Sequence, residues 1–217
     1  MRPRPDLLSS ESLPPEPRQR RSREKRARLK DAALALFYAQ GYERTSIEDI
    51  AKRANLATGT FYRHYRSKRQ LLLVLMEDLL TAMSQLSFQP AAGISPHTLL
   101  RALLARAFTT DLQYLGAYRA WREAMLSDPQ LALDWQEIRE WTTQRVLALL
   151  TLLRQAPGAR NDFAIAPLAD VIDTLGWSLL DRSATMSLAQ VNARIDAATH
   201  LIYHSIFSDT AEQNKLQ

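Results

Sequence analysis

Residues Thr45–Lys68 read TSIEDIAKRANLATGTFYRHYRSK, and two short helical patterns joined by a tight turn are legible in them. Thr45 is suited to cap a helix that carries Glu48 three residues on, the hydroxyl and the carboxylate each satisfying the other's end. Ile47, Ile50, Ala51 and Ala54 recur at helical spacing as one apolar stripe, with Glu48, Asp49, Lys52 and Arg53 on the other side. Asn55 tolerates the left-handed conformation that ends a helix, so the chain turns there before Leu56 returns to the core. A second helix from about Thr58 to Tyr65 buries Phe61 and Tyr65, one turn apart, and leaves Thr58, Gly59, Thr60, Tyr62 and Arg63 facing out. Glycine inside a helix is costly, and Gly59 makes sense if a phosphate or base edge must approach the backbone closely. Helix, turn and helix with such a surface read as a DNA-binding element.

The run Gly59, Thr60, Phe61, Tyr62, then His64, Tyr65 and Lys68, resembles the recognition helix of the TetR family of bacterial transcriptional regulators. The resemblance implies that Tyr62, His64 and Lys68 hold phosphates and that Thr58, Gly59 and Thr60 lie nearest the base edges. It also implies that Thr45 clamps the backbone from the preceding helix. On its own context His64, between two aromatic core residues, is equally a packing residue. The chain departs from the family pattern at Asn55 and Ala57, where glycine and serine are usual, and at Arg69 in place of a common glutamate, a change that adds positive charge.

Upstream, Leu29, Ala32, Ala33, Leu36 and Phe37 give a helical stripe over Glu24–Gln40, and Gly41 supplies a left-handed stop. This first helix packs over the other two as a three-helix domain, residues 23–68. Residues 1–22 carry Pro3, Pro5, Pro14, Pro15 and Pro17 without helical period, the composition of a disordered arm. The arm ends in Arg18, Arg20, Arg21, Arg23, Lys25, Arg26 and Arg28, which either follow a phosphate backbone or enter a minor groove, or else serve as a solubilising tail. Charge divides the chain: residues 1–70 hold 17 Lys and Arg against 8 Asp and Glu, the remainder 11 against 15. One end is built to meet a polyanion.

Downstream, Lys68 begins a long helix through Met83, apolar on more than one side and expected to act as a lever between domains. The rest reads as helices over Pro96–Leu115, Tyr118–Leu126, Pro129–Gln155, Ala166–Ala184 and Leu188–Phe207, broken at Gly116, Asp128-Pro129, 156–162 and 185–187. The fold expected is all-α, with a helical domain over residues 69–210 and a short C-terminal tail, 211–217. That domain holds Phe108, Tyr118, Trp121, Met125, Trp135, Trp141 and Trp177, an aromatic stripe that is either core or pocket. By the resemblance, it holds a small-molecule cavity and its last two helices form a four-helix bundle across a homodimer; the rings suit a small apolar or aromatic effector there, with Asp173 or Tyr118 as the polar contact. Leu188, Val191, Ile195, Ile202 and Ile206 fit that interface.

No glycine-rich phosphate loop, nucleophile elbow or HExxH stands in the sequence, so catalysis is not expected. Asp196, His200 and His204 fall at i, i+4 and i+8, but two turns is a long reach for one ion, and neither metal nor cofactor is expected. There is no cysteine, Leu71–Met76 is too short to span a bilayer, and Met1–Arg28 lacks the apolar centre of a signal peptide. The expectation is a cytoplasmic homodimeric regulator, a repressor released from a palindromic double-stranded DNA operator by its effector. Two rivals are an architectural DNA binder whose aromatics are core and an enzyme with a fused DNA-binding domain.

Overall fold

The computed structural model describes residues 3–15, 19–89, 91, 93–183 and 186–207. Among these, helices follow in the order α1 (Arg20–Gln40), α2 (Ile47–Arg53), α3 (Thr58–Tyr62), α4 (Lys68–Ser84), α5 (Pro96–Gln113), α6 (Leu115–Ala124), α7 (Pro129–Leu153), α8 (Ile165–Arg182) and α9 (Leu188–Ile206). Among the described residues, extended pairing is limited to an isolated bridge between Ala159 and Phe207. No helix among them is long and apolar enough to cross a membrane. The expected tail, 211–217, lies outside the described residues, as do Pro17 and Arg18 of the arm.

The chain forms two compact units, and the division does not fall after Lys68. One unit comprises Pro5–Ala82 together with Gln113–Glu137, so α6 and the start of α7 belong with the helix-turn-helix. Alanines and a glycine let α6 lie close along α1: Gly116, Ala117, Ala120 and Ala124 are all buried. A Cβ at Gly116 would collide with the Leu34 carbonyl, so this glycine, expected to break a helix, is instead a contact point within one. At the other end of α6 the Glu123 carboxylate accepts hydrogen bonds from the backbone N–H of Tyr42 (2.6 Å) and Glu43 (3.2 Å). It thereby satisfies donors left open in the turn after α1, which runs through Gly41 at φ 86°.

Within this unit three local expectations shift. α1 begins at Arg20, four residues before the expected Glu24, because nothing between them breaks the helix. α2 is capped one residue later than expected. The Ser46 hydroxyl accepts from the Asp49 N–H at 3.0 Å while the Asp49 carboxylate accepts from the Ser46 N–H at 3.2 Å, a complete capping box. Thr45 is turned inward, and its hydroxyl donates to the Gly41 carbonyl at 2.7 Å. The expected disordered arm is, in its described residues 5–13, laid against α4. Leu7 is buried with its N–H on Glu77 at 3.2 Å, and Glu11 pairs with Arg69 at 2.7 Å. Asn55 does adopt the left-handed conformation, φ 51°.

The second unit contains Met83–Leu112 and Ile138 onward. Leu100, Leu150, Leu153, Ala169, Ile202, Ile206 and Phe207 form one core cluster; Phe108, Val191 and Ile195 form another. Four of the five residues expected at a dimer interface, Val191, Ile195, Ile202 and Ile206, are thus buried within their own chain. The stripe is real, but it faces α5 and its neighbours. Leu188 stands clear at 76% exposure, and the other exposed large apolar residues of α8 and α9 are Val171, Leu175 and Leu201.

Candidate nucleic-acid interface

α3 is a single short turn of helix whose setting comes from one buried ring. Phe61 is fully buried, with Tyr65 at 5.7 Å between centroids on the inner side and Tyr62 edge-on at 5.6 Å on the outer side. Tyr62 is 52% exposed, Gly59 and Arg63 are exposed, and Thr58 and Thr60 lie half-buried beside them. Nothing in the protein lies within 4 Å of where a Cβ on Gly59 would sit. No intramolecular crowding demands a glycine here, so its use is outward: it leaves bare backbone open to a close ligand. In the preceding turn and α2, Arg44, Ser46, Arg53 and Asn55 are exposed as well.

Three residues assigned to phosphates by sequence are committed inside the protein. The Thr45 hydroxyl is buried and used, as above. Lys68 donates from Nζ to the carbonyls of Tyr42 (2.6 Å) and Thr45 (3.0 Å) and sits 4.1 Å from the centroid of the Tyr42 ring. Its charge compensates the carbonyls of the turn between α1 and α2, and burial lowers its pKa from the ordinary lysine value. His64 is buried beside Tyr65, and its pKa is lowered first by burial and then by Arg26, Lys25 and Arg63. A neutral, enclosed imidazole is a packing group and a poor phosphate ligand. Arg69, whose charge the sequence suggested for DNA, is spent on Glu11 and on Asp128 (2.6 Å).

Two arginines of α1 do what the sequence reading missed. Arg28 donates to the carbonyls of Ala54 and, at 3.2 Å, Asn55, holding the end of α2 and the turn into α3. Arg26 donates from Nε to the Tyr65 hydroxyl at 3.4 Å and lies over its ring. Burial pushes the Tyr65 hydroxyl up to about 12, so it stays a neutral acceptor for that arginine. Both residues stood in the basic cluster, but composition cannot distinguish an arginine that grips a carbonyl from one left in water.

The aromatic residues assigned to an effector cavity fall into separate units. Tyr118, Trp121, Met125 and Trp135 belong to the first; Phe108, Trp141, Asp173 and Trp177 to the second. Trp121 is fully buried, and its indole N–H donates to the Leu131 carbonyl at 3.2 Å. Tyr118 meets Trp135 edge-on at 6.4 Å. In the second unit Asp173 is buried, accepts from Thr143 at 3.2 Å and pairs with Arg139 at 3.2 Å, while Arg139 lies 5.3 Å from the centroid of the Trp177 ring. Burial raises the Asp173 pKa; Arg139, Thr142, Thr143 and Trp177 oppose the rise. Beside this cluster is a groove of about 380 Å³ lined by Arg139, Glu140, Thr143, Gln144 and Asp170. Asp196 is taken by Arg101 at 2.7 Å, and no group of three or more His, Cys, Asp or Glu among the described residues is placed to hold a metal ion.

The family profile described as "Bacterial regulatory proteins, tetR family" matches residues 29–75, which run from the core of α1 into α4. The chain is 36% identical over 221 residues to the HTH-type transcriptional regulator TcmR of Streptomyces glaucescens, covering 94% of this chain and 95% of that protein. It is 45% identical to the HTH-type transcriptional repressor KstR of Mycolicibacterium smegmatis over 51 residues, covering 24% of this chain and 25% of that one. In three dimensions it is similar to the fatty acid degradation regulator FadR from Bacillus halodurans, with a TM-score of 0.62 at 17% identity, covering 82% of this chain and 94% of that one.

Proposed function

The chain belongs to the TetR family of DNA-binding transcriptional regulators, which are not enzymes; from that premise we propose that it is a homodimeric, ligand-responsive repressor of cytoplasmic location that reads a palindromic operator with α3. The observation that carries the reading is the outward face of α3, where Tyr62 is exposed and Gly59 opens onto empty space. α3 enters the major groove with Thr58, Gly59 and Thr60 toward base edges, while Tyr62 and Arg63 take flanking phosphates. A two-fold dimer requires inverted half-sites about 34 Å apart or a multiple of that spacing. The name of KstR, 45% identical over 51 residues, supports repression as the outcome.

Binding assays on operator and random duplexes separate the two kinds of contact. Arg63→Ala weakens both by similar factors and flattens the slope of log Kobs against log salt by about 0.9. Thr60→Ala instead changes the preference between operators, with about 1–3 kcal/mol at stake for a good base contact. Unchanged affinity, slope and preference in both variants would remove α3 from the interface.

The effector site we place at the groove of about 380 Å³ lined by Arg139, Glu140, Thr143, Gln144 and Asp170, a concave surface of polar and charged side chains in which Arg139 also pairs with the buried Asp173. Such a lining selects a polar effector with hydrogen-bonding groups, in place of the small apolar or aromatic one expected from sequence. In a panel of polar compounds, one that binds the groove should raise the melting temperature, and Arg139→Ala should abolish the shift. Equal shifts in Arg139→Ala would move the effector elsewhere.

A further inference from the structure

Six basic residues and one acid stand between Gln19 and Arg28. They form the first turns of α1, and the first turn carries no acidic residue and no side-chain cap. Cations at the start of a helix face the positive end of its dipole, the arrangement helices disfavour, here placed three-fold at Arg20, Arg21 and Arg23. Arg20 is paired with Glu24 at 2.8 Å, and the charges of Arg21 and Arg23 weaken the free helix. A polyanion alongside reverses the sign.

The structure supplies a direction for that polyanion. Arg21, Lys25 and Arg28 are at i, i+4 and i+7, so they share one face of α1, and all three are exposed. At one end of the face Arg28 grips the carbonyls of Ala54 and Asn55, in the turn that delivers α3. Arg26 reaches Tyr65, and the lowered pKa of His64 is owed in part to Arg26, Lys25 and Arg63, so positive charge from α1 converges on the residues that follow α3. The basic face therefore ends at the exposed turn that leads into α3, and seven residues at 1.5 Å rise carry it roughly 10 Å beyond that turn. Duplex DNA presents about one charge per 1.7 Å of axis, so several phosphates lie within that length.

We propose that the N-terminal turns of α1 are a second phosphate clamp, in which Arg21 and Lys25 contact the DNA backbone flanking the major-groove site of α3. The clamp rests on the reading of α3 as the docking helix and extends the footprint without reading sequence. The segment is helical and rigidly joined to the α2–α3 turn, so it binds without first having to be ordered. Arg28 is left out of the test, because removing it would also loosen the turn.

The experiment compares the full-length protein with Arg21→Ala/Lys25→Ala and the charge-preserving Arg21→Lys/Lys25→Arg, on operator and on random duplex across a salt series. The alanine variant should flatten the salt slope by about 1.8, two contacts at 0.9 each, weaken both duplexes by the same factor, and leave the operator preference intact. Its melting temperature should be unchanged or higher, since a cation is gone from the helix start, which excludes unfolding as the cause. The charge-preserving variant should keep the original slope. An unchanged slope in the alanine variant overturns the clamp while leaving α3 standing. A parent protein that binds no duplex, or an Arg63→Ala variant that binds as tightly as the parent, overturns the reading of α3 itself.

Discussion

Leu201→Glu should turn the protein into a monomer at micromolar concentration with its melting temperature little changed, and operator affinity should fall by a factor of about 10²–10⁴, the avidity lost when two linked contacts become independent. Leu201 is 48% exposed on α9, and Val171 and Leu175 of α8 are similarly open at 53% and 44%. Large apolar side chains left exposed on two helices of one unit suit an interaction surface, and the occupant proposed is the same face of a second copy. Across a two-fold axis a glutamate at such a position meets its own image or an apolar neighbour, and neither compensates its charge. Ile195→Glu is the informative contrast. Ile195 is buried against Phe108 and Val191 within its own chain, so a charge there should lower the melting temperature and helicity before it tells anything about assembly. A Leu201→Glu protein that still sediments as a dimer and holds its operator with full affinity would place the interface on another surface.

Trp121→Ala should destabilise the chain by about 3–5 kcal/mol, the range for removing a large buried ring. For a protein of this size that lowers the melting temperature by roughly 6–20 °C. The ring is fully buried, and the Leu131 carbonyl accepts its N–H, so the loss combines a cavity with an unpaired acceptor. Trp121→Phe separates the two, keeping most of the volume and losing only the hydrogen bond, and should cost much less. Both effects belong to the unit that carries α3, so operator binding should fall with stability. A well-folded Trp121→Ala protein that binds its operator and has lost only its effector response would restore the cavity to Trp121 and remove it from the Arg139 groove.

The contrast between Trp121 as ligand wall and Trp121 as core shows where legibility stopped. The spacing of Tyr118, Trp121 and Met125 suits one helical face, but a buried face and a ligand-lined face have the same period. The same ambiguity moved the α9 stripe. Val191, Ile195, Ile202 and Ile206 recur as a dimer seam would, and the pattern states that they leave water without stating what replaces it. Lys68 is a third case. The family pattern places a lysine there, but its two carbonyl partners lie 26 and 23 residues away. A motif shows neither.

The sequence alone determined what depends on neighbours within a turn or two. Helical periods set the elements, a left-handed residue at Asn55 ends α2, rings at Phe61 and Tyr65 orient α3, and a concentration of arginine marks the end that meets DNA. These follow from backbone sterics and from spacing along one helix, which are properties of short segments. Only the tertiary structure decided which of those faces touch each other. It set α6 against α1 through the bare backbone at Gly116, gave Glu123 to the turn at Tyr42, turned Thr45 inward and Leu201 outward, and divided the aromatics between two units. Each of these is a pairing of surfaces far apart in sequence, selected by fit and by satisfaction of buried polar groups, and local pattern carries no record of the partner.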